Sequence, residues 1–256
     1  MQIGEFQKGY LKQGKLKEAE LICKRGQWYF HLVLDMPESS QIEGEVFFAV
    51  DLGENNVAAM SSGKLICGGK IRHDRDKHLA RRRKLQSNGS RSAKRLLKRI
   101  SGKESRRMRN ENHKISKVVI EEAIKYGAAQ IVLEDLTNIR ERIRAKKRER
   151  TRLHRWSFNQ LQQQIEYKAV SAGLRVLYVN PAYSTKLCLD CNALGRRHKN
   201  TFTCQCGNRQ HSDLYSCEKL CRFAQSADRV TATVNRPMVV REKSFSYKLP
   251  PLGRGS

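Results

Sequence analysis

Residues 46–53 read VFFAVDLG and predict the central strand of a sheet. The apolar run 46–50 suits a strand that is covered on both faces, as in sheets packed between helices. The run ends at Asp51, the first charged residue after it. Gly53 has no side chain, so the backbone there can approach a substrate closely. We therefore expect a rigidly held carboxylate at the edge of a buried sheet.

Two later segments repeat this pattern. Residues 128–133 predict another buried strand, which ends at Glu134, and residues 174–179 predict a further strand, which is closed by Asn180-Pro181. A helix is predicted between them, with Ser157 as its N-cap and a capping-box bond from Gln160. Its predicted core face consists of apolar residues at helical spacing: Phe158, Leu161, Ile165, Ala169 and Ala172.

The remaining elements complete a mixed α/β sheet. Residues 55–60 and 64–71 predict two antiparallel strands, and 18–35 predicts a hairpin that turns at Lys24-Arg25-Gly26. Helices are predicted over 75–86 and 91–126. The order of three strands, helix, strand, helix, strand is that of an α/β domain.

The charge of the chain points to a polyanionic partner. The sequence has 51 Lys and Arg against 25 Asp and Glu, a formal net charge of +26. This imbalance disfavours a small-metabolite enzyme and favours nucleic acid, because a positive field concentrates phosphates. Residues 70–114 hold 18 basic and 4 acidic residues, and residues 139–155 hold 9 and 2. Both stretches are predicted to contact nucleic acid.

Composition also excludes several classes of protein. No apolar run approaches the roughly 18 residues that a membrane span needs, and the first 15 residues lack the apolar segment of a secretory signal. With 39% hydrophobic residues the chain has material for a core. We therefore expect a cytoplasmic, nucleoid-associated protein whose eight cysteines are metal ligands or buried thiols.

Three acidic residues are candidates for a magnesium site. Asp51 and Glu134 each follow a buried strand, and Asp213 opens a helix-like segment over 213–223. Phosphodiester hydrolysis needs charge stabilisation on the attacking and leaving oxygens, which two Mg²⁺ ions can supply. Mg²⁺ prefers carboxylate oxygen. The alternative is that these acids are turn residues or salt-bridge partners, and Asp135 is interpreted as structural.

A cysteine cluster predicts a zinc ribbon. Cys188 and Cys191 are separated by two residues, and a basic hairpin leads from them to Cys204 and Cys206. Two thiolate pairs around a hairpin are typical of tetrahedral Zn²⁺. The second pair has one intervening residue instead of two, so unmetallated thiols, or His211 in place of one cysteine, stay open as alternatives.

The other four cysteines are interpreted as packing residues. Cys217 and Cys221 lie four residues apart on one helix face, where such residues usually pack as small hydrophobes. Cys23 and Cys67 lie in predicted strands and are expected to be buried.

The order of these motifs resembles the OrfB/TnpB family of transposon-encoded proteins, whose RuvC-like nuclease domain is shared with type V CRISPR effectors. The resemblance covers about residues 46–220. The matching segments are AVDLG (49–53), NHKIS (112–116), IVLEDL (131–136), HRWSFNQLQQQIEYKAVSAGLRVLYVNPAYSTKLCLDC (154–191), FTCQCG (202–207) and HSDL (211–214).

This resemblance implies an RNase H-like fold with an inserted zinc ribbon, and an RNA-guided, metal-dependent DNA endonuclease. It implies that Asp51, Glu134 and Asp213 are catalytic and hold two Mg²⁺ ions, with a guide RNA reading the DNA sequence by base pairing. The chain departs from the family after Asp213, where Leu214-Tyr215-Ser216 stands in place of Asn-Ala-Ala.

The resemblance also implies a domain organisation. Residues 1–45 are expected to be the remnant of a β-rich N-terminal domain, since the family's long recognition lobe would precede the first catalytic strand. Four further segments are predicted: a RuvC-like core with a basic helical hairpin (46–187), the zinc ribbon (188–210), the C-terminal part of the core (211–234) and an irregular tail (235–256).

Three functions are consistent with these features. The first is an RNA-guided endonuclease with Mg²⁺ and Zn²⁺. The second is a catalytically inactive or shortened relative that only binds RNA or DNA. The third is a zinc-ribbon protein that binds structured RNA, which leaves the strand-end acids unexplained. The sequence leaves the oligomeric state open.

Overall fold

The computed structural model describes residues 3–24, 26–37, 39–135, 158–179 and 187–229. The chain divides into two compact units, Met1–Ser40 and Gln41–Ser256. The basic stretch 139–155, the predicted cap at Ser157 and the tail 235–256 lie outside the described residues. Within the described residues, no helix combines the length and apolar character needed to cross a bilayer.

The first unit is a helix followed by a hairpin. Helix α1 spans Glu5–Gln13, and strands β1 (Lys15–Lys24) and β2 (Gln27–Asp35) pair antiparallel. The predicted hairpin is confirmed, but α1 was not foreseen. The expectation that Cys23 is buried is wrong: its strand belongs to a two-stranded sheet, in which its side chain stays exposed.

The second unit contains a five-stranded mixed sheet in the order β5-β4-β3-β6-β7. Its strands are β3 (Phe47–Asp51), β4 (Asn56–Met60), β5 (Leu65–Cys67), β6 (Gln130–Glu134) and β7 (Arg175–Val179). Strand β3 is central, antiparallel to β4 and parallel to β6, which is parallel to β7. The predicted mixed α/β sheet is therefore confirmed.

Alternation along β3 gives the sheet two apolar faces. Phe48 and Val50 pack on one face with α4 (Lys103–Lys125) and α5 (Phe158–Ser171). Ala49 packs on the other face against α6 (Ser212–Arg229). The predicted core face of α5 is confirmed, since Phe158, Leu161, Ile165 and Ala169 are buried and Ala172 is partly buried. The sheet is thus covered on both sides, as its apolar strands require.

The basic stretch forms three helices rather than two. They are α2 (Gly69–Asn88), α3 (Arg91–Ile100) and α4. The continuous helix predicted over 91–126 is wrong, because Gly102 adopts a left-handed backbone with φ 74° and separates α3 from α4. The strand predicted over 64–71 is also too long, since α2 already begins at Gly69.

The expected burial of Cys67 is wrong as well. This cysteine ends β5, which is the edge strand of the sheet, and its side chain is exposed. An edge strand has a neighbour on one side only, so its end is open to solvent.

A small three-stranded antiparallel sheet follows the cysteine pair. It is built from β8 (Arg196–His198), β9 (Thr201–Thr203) and β10 (Arg209–His211). Its core contains Cys188, Leu189, Phe202 and Tyr215. Gly195 is required before β8, because a Cβ there would lie 2.3 Å from the ring of Phe202. Below we call residues 187–211 the ribbon.

Candidate functional site

Two of the three predicted acids end adjacent parallel strands. Asp51 is the last residue of β3 and Glu134 is the last residue of β6. The register pairs Val50 with Leu133, so the two acids follow equivalent positions at one sheet edge. Asp213 is the second residue of α6 and is buried. The parallel pairing of β3 and β6 therefore brings the first two acids together, and α6 brings the third to them.

Charge repulsion shows that the three carboxyl groups are neighbours. The pKa of Asp51 is raised to about 6, mainly by burial and then by the nearby charge of Asp213, while Arg197 and the Ser216 hydroxyl lower it. Burial also raises the pKa of Glu134 to about 7, with the charge of Asp51 as the second cause. The charge of the two strand-end acids is therefore only partly compensated, by Arg197 near Asp51, and an incompletely compensated carboxylate cluster favours a bound cation.

Both oxygens of Asp213 already have partners. Arg197 Nη2 donates to Oδ1 at 2.5 Å, and Asn56 Nδ2 donates to Oδ2 at 2.8 Å. Arg197 comes from β8 of the ribbon and Asn56 from β4. These two residues were missed from the sequence, because Asn56 lies 157 positions from Asp213 and Arg197 stands in a run of basic residues.

The spacing of the acids limits how they can bind metal. Among the described residues, the only group of three or more potential ligand side chains whose donor atoms all lie within 4.8 Å of one another is formed by cysteines. Ligands of a single Mg²⁺ lie at most about 4.2 Å apart, because each bond is about 2.1 Å long. The three carboxylates as they stand therefore do not form the ligand set of one shared ion.

The end of β6 is held by a second polar contact. Buried Gln162 on α5 donates from Nε2 to the backbone oxygen of Glu134 at 2.6 Å. The backbone N–H of Asp135 donates to Val179 O at 2.7 Å and extends the pairing with β7. Gln162 was not foreseen, since one glutamine on an amphipathic helix carries no specific signal. These bonds fix the backbone at Glu134 from both sides.

The four predicted zinc ligands come together. The Sγ atoms of Cys188, Cys191, Cys204 and Cys206 all lie within 4.8 Å of one another. Cys188 and Cys206 are 3.6 Å apart, and Cys191 and Cys204 are 3.4 Å apart. Tetrahedral zinc with bonds of about 2.3 Å places its sulfurs about 3.8 Å apart. The donor set therefore fits Zn²⁺, and a disulfide, at about 2.05 Å, is absent from it.

The short Cys204–Cys206 spacing is accommodated by a tight turn. Gly207 has φ 93°, a backbone conformation that glycine adopts without strain, and its N–H donates to Cys204 O at 3.1 Å. The Cys204 N–H donates to Asn208 O at 2.9 Å and closes the loop. His211 does not belong to the sulfur group. The geometry thus favours four cysteines over the histidine alternative.

One of the four thiols is prepared for metal. Burial alone would raise the pKa of Cys188, but the backbone N–H groups of Cys191 and Asp190 and the Tyr215 hydroxyl lower it to about 6. Metal binding requires thiolate, so a lowered pKa favours it at neutral pH.

The two cysteines on α6 are packing residues, as expected. Cys217 Sγ donates to Ala59 O at 3.2 Å and Cys221 Sγ to Phe47 O at 3.7 Å. Burial raises the pKa of Cys217 well above its usual range, and the charge of Asp51 adds to this. Cys217 therefore stays a neutral, unreactive thiol.

The basic helices present an exposed surface of uncompensated charge. Acidic residues near α4 are paired: Asp74 with Arg107, Glu104 with His78, and Glu111 with Lys114. In contrast, nine exposed cations on the second half of α2 and on α3 form no ion pair with another described residue. They are Arg81, Arg82, Arg83, Lys84, Arg91, Lys94, Arg95, Lys98 and Arg99. We call these nine residues the basic surface.

Comparisons with protein families give two matches in one chain. A family model described as "Probable transposase", the OrfB model, matches residues 31–140. A model described as "Cas12f1-like, TNB domain" matches residues 158–220. The first match includes Asp51, Glu134 and the basic surface, and the second includes the four cysteines and Asp213.

Individual relatives agree with these matches. A TnpB-like protein of Methanocaldococcus jannaschii is 34% identical over 207 residues, which cover 74% of this chain and 72% of that protein. The CRISPR-associated endodeoxyribonuclease Cas12f1 of Sulfoacidibacillus thermotolerans is 27% identical over 80% of this chain and 49% of its own length. The Cas12f1 of Syntrophomonas palmitatica is 28% identical, over a region that covers 75% of this chain and 42% of that protein. The chain thus spans half or less of these two nucleases.

Solved structures show the same fold. A Cas12f1–sgRNA–target DNA complex matches with a TM-score of 0.57 at 18% identity, covering 76% of this chain and 42% of that one. A CRISPR–Cas12f ternary complex matches with a TM-score of 0.58 at 20% identity, and the match covers 80% of this chain and 44% of that one. Together with the archaeal relative and the two family models, the strand-end acids and the four-cysteine ribbon show that the chain belongs to the OrfB/TnpB family.

Proposed function

We propose that this chain is a transposon-associated, RNA-guided DNA endonuclease that hydrolyses phosphodiesters with two metal ions. The observation that carries the proposal is the pair Asp51 and Glu134, half-buried side by side at the ends of β3 and β6 with raised pKa values and Asp213 near Asp51. A sheet in this order, flanked by α4, α5 and α6, supports the RNase H-like assignment.

The three acids would hold two Mg²⁺ ions, which when bound stabilise negative charge on the attacking and leaving oxygens. Asp51 and Glu134 contribute from rigid strand ends, since β3 and β6 are paired up to these residues. Arg197 and Asn56 hold the Asp213 carboxylate in one orientation. The orientation of the acids is therefore fixed by the protein itself, which lowers the reorganisation that the reaction requires.

The basic surface would hold the nucleic-acid backbone. Phosphate contacts bind without reading sequence, so sequence would be read by a guide RNA paired with the target. The Cas12f1 structure is a complex with sgRNA and target DNA. We propose the same partner classes here, and zinc in the four-cysteine site. The reducing cytosol is the proposed compartment, because zinc-binding thiols must remain reduced.

A cleavage assay tests the catalytic proposal. The chain is purified with its copurifying RNA, that RNA is sequenced, and DNA carrying the complementary target is supplied with Mg²⁺. We expect cleavage that is lost in Asp51→Asn and Glu134→Gln and retained in Asp76→Asn, an exposed acid on α2. Equal cleavage by Asp51→Asn, or no cleavage with Mg²⁺ or Mn²⁺ by a chain that binds its RNA and target, would contradict the proposal.

One observation favours the second candidate, a nucleic-acid-binding module without catalysis. Asp213 has both oxygens engaged by protein groups, and the three carboxylates do not form one tight ligand group. This candidate predicts salt-dependent RNA or DNA binding that is identical in the unmodified chain and in Asp51→Asn, with no cleavage by either. The zinc-ribbon RNA binder is less favoured, because it gives the strand-end acids no role.

A further inference from the structure

Helix α6 contributes two buried residues next to the cysteine site that are not ligands. Tyr215 and Lys219 are each 1% exposed and lie four residues apart, on one face of the helix. Neither residue type is common in a buried position unless its polar group has a partner. Both side chains face the small core formed by Cys188, Leu189 and Phe202.

The Tyr215 hydroxyl is oriented by two contacts. It accepts a hydrogen bond from the backbone N–H of Leu189 at 2.6 Å, and it lies 3.6 Å from Cys188 Sγ. A phenol has one proton and is protonated at neutral pH. The phenolic oxygen accepts the hydrogen bond from the Leu189 N–H, so its own proton is free to be donated to another acceptor. The Cys188 sulfur is the acceptor within reach. The hydroxyl therefore donates to the thiolate of Cys188.

Lys219 is held between two aromatic rings. Its Nζ lies 4.4 Å from the ring centroid of Phe202 and 4.4 Å from that of Tyr215. It forms no ion pair with a carboxylate of the described residues, although a buried ammonium group needs compensating negative charge. Burial lowers the pKa of Lys219 to about 8, while the charges of Cys188 and Glu218 oppose this shift. The ammonium group thus lies over the two rings of the core that also contains Cys188.

We propose that Tyr215 and Lys219 are positioning residues of the metal site, Tyr215 by donating to Cys188 and Lys219 by compensating the charge of the thiolates. The inference rests on zinc binding by the four cysteines. Zn²⁺ with four thiolates carries a net charge of about −2, which is costly to place beside a core without nearby donors or cations. A donor on the sulfur and an ammonium beside it offset part of that cost.

The helix that carries these residues also carries Asp213. Tyr215 follows Asp213 by two positions, and Arg222 on the same helix donates from Nη1 to Leu189 O at 2.9 Å. The loop around Cys188 is thus attached to α6 through Tyr215 and Arg222. Occupancy of the zinc site consequently stabilises the first turns of α6, where the third acid stands.

The test measures metal affinity of the full chain rather than cleavage. The chain is stripped of metal under reducing conditions and titrated with Zn²⁺ against a chromophoric chelator. Tyr215→Phe and Lys219→Met are each expected to weaken zinc binding by about 10-fold or more. The matched controls are Tyr29→Phe and Lys199→Met, both exposed, and they are expected to bind as the unmodified chain does.

A spectroscopic readout separates a bond to sulfur from a general loss of stability. A hydrogen bond to a thiolate lowers the energy of its lone pairs, so its loss shifts the sulfur-to-metal charge-transfer band of the Co²⁺-loaded chain to longer wavelength. We expect that shift in Tyr215→Phe and not in Tyr29→Phe. If Lys219→Met fails to fold, Tyr215→Phe, which removes one oxygen, decides the question.

The outcomes are distinguishable. Zinc affinities of both variants within twofold of the unmodified chain, or an unshifted band in Tyr215→Phe, would overturn the inference. An unmodified chain that takes up neither Zn²⁺ nor Co²⁺ would overturn the zinc assignment together with it. An unmodified chain that binds zinc as expected but does not cleave DNA would count against the nuclease proposal alone.

Discussion

Arg197 of the ribbon donates a 2.5 Å hydrogen bond to Oδ1 of Asp213, and the same cation lowers the pKa of Asp51. The Arg197 side chain is 40% exposed, whereas that of Asp213 is 12% exposed. A single residue of the small sheet thus influences two of the three proposed metal ligands. Its contribution can be measured without any nuclease assay.

The pKa of Asp51 is expected to rise above about 6 in Arg197→Gln, because the substitution removes the positive charge that lowers it. The measurement is a carboxyl ¹³C NMR titration of the metal-free chain. Arg196→Gln, an exposed neighbour on β8, is the control and should leave the titration unchanged. A lower or unaltered Asp51 pKa in Arg197→Gln would show that the ion pair does not persist in solution.

The stability of the metal-free acid site is expected to fall as pH rises. The pKa values of Asp51 and Glu134 are raised from 3.8 and 4.5 to about 6 and 7, so the folded chain binds more protons than the unfolded chain in this range. The free energy of unfolding therefore decreases from about pH 4 to about pH 7. Asp51→Asn, which mimics the protonated acid, should raise the free energy of unfolding at pH 8 by on the order of 2 kcal/mol relative to the unmodified chain, and its Tm should rise accordingly.

This effect is read from the difference between the two chains, since groups remote from the acid site titrate equally in both. Thermal unfolding at pH 5 and at pH 8 gives the comparison, and Asp76→Asn is the control. A larger advantage of Asp51→Asn at pH 5 than at pH 8 would contradict the sign.

Mg²⁺ is expected to raise Tm more at pH 8 than at pH 5, because protons compete with the cation for the same carboxylate oxygens. Thermal unfolding with and without millimolar Mg²⁺ measures the shift. Asp51→Asn and Glu134→Gln should reduce it at pH 8. A shift that is equal in these variants and in the unmodified chain would place the magnesium elsewhere.

Loss of zinc is expected to weaken binding of Mg²⁺ as well. Cys188→Ser removes a buried ligand of the cysteine site, and α6 carries both Tyr215, next to that site, and Asp213. We expect the Mg²⁺-induced rise in Tm at pH 8 to shrink in Cys188→Ser and to persist in Cys23→Ser, whose side chain is exposed. An undiminished rise in Cys188→Ser would show that the two sites are independent.

Binding of nucleic acid is expected to depend on salt through the basic surface. Arg82→Ala and Arg95→Ala should each weaken binding at every sequence, and each should reduce the slope of log K against log salt concentration by about 1. Lys117→Ala is the control, since Lys117 is paired with Glu121 on α4. Fluorescence anisotropy at several salt concentrations gives the slopes. Effects confined to one DNA sequence would indicate contacts to bases instead of phosphates.

The strands that carry the site could be predicted from the sequence, because each is an apolar run that ends in an acid. The three residues before Asp51 and the three before Glu134 are all apolar, and all six are buried in their strands. The cysteine group could be predicted for a similar reason, since its ligand types and their spacing are specific to metal sites.

Other features depend on contacts that are distant in the sequence or on a single backbone angle. Gly102 breaks the basic helix within a stretch whose composition favours helix throughout. Cys23 is exposed because its strand belongs to a sheet of only two strands, and Cys67 is exposed because it ends an edge strand. Neither condition is visible in the local sequence. The partners of Asp213 come from β4 and β8, and no local pattern identifies a residue that meets an acid across the fold.

The face of the sheet beneath α6 is lined by small side chains, among them Ala49, Ala59 and Val132. Cys217 on the helix lies close enough to donate to Ala59 O at 3.2 Å. The size of these side chains sets the distance between α6 and the sheet. That distance in turn sets the separation between Asp213 and the two strand-end acids. The width of the acid site thus depends on the size of these side chains, and a larger residue at Ala59, which pairs with Asp51, is expected to widen it.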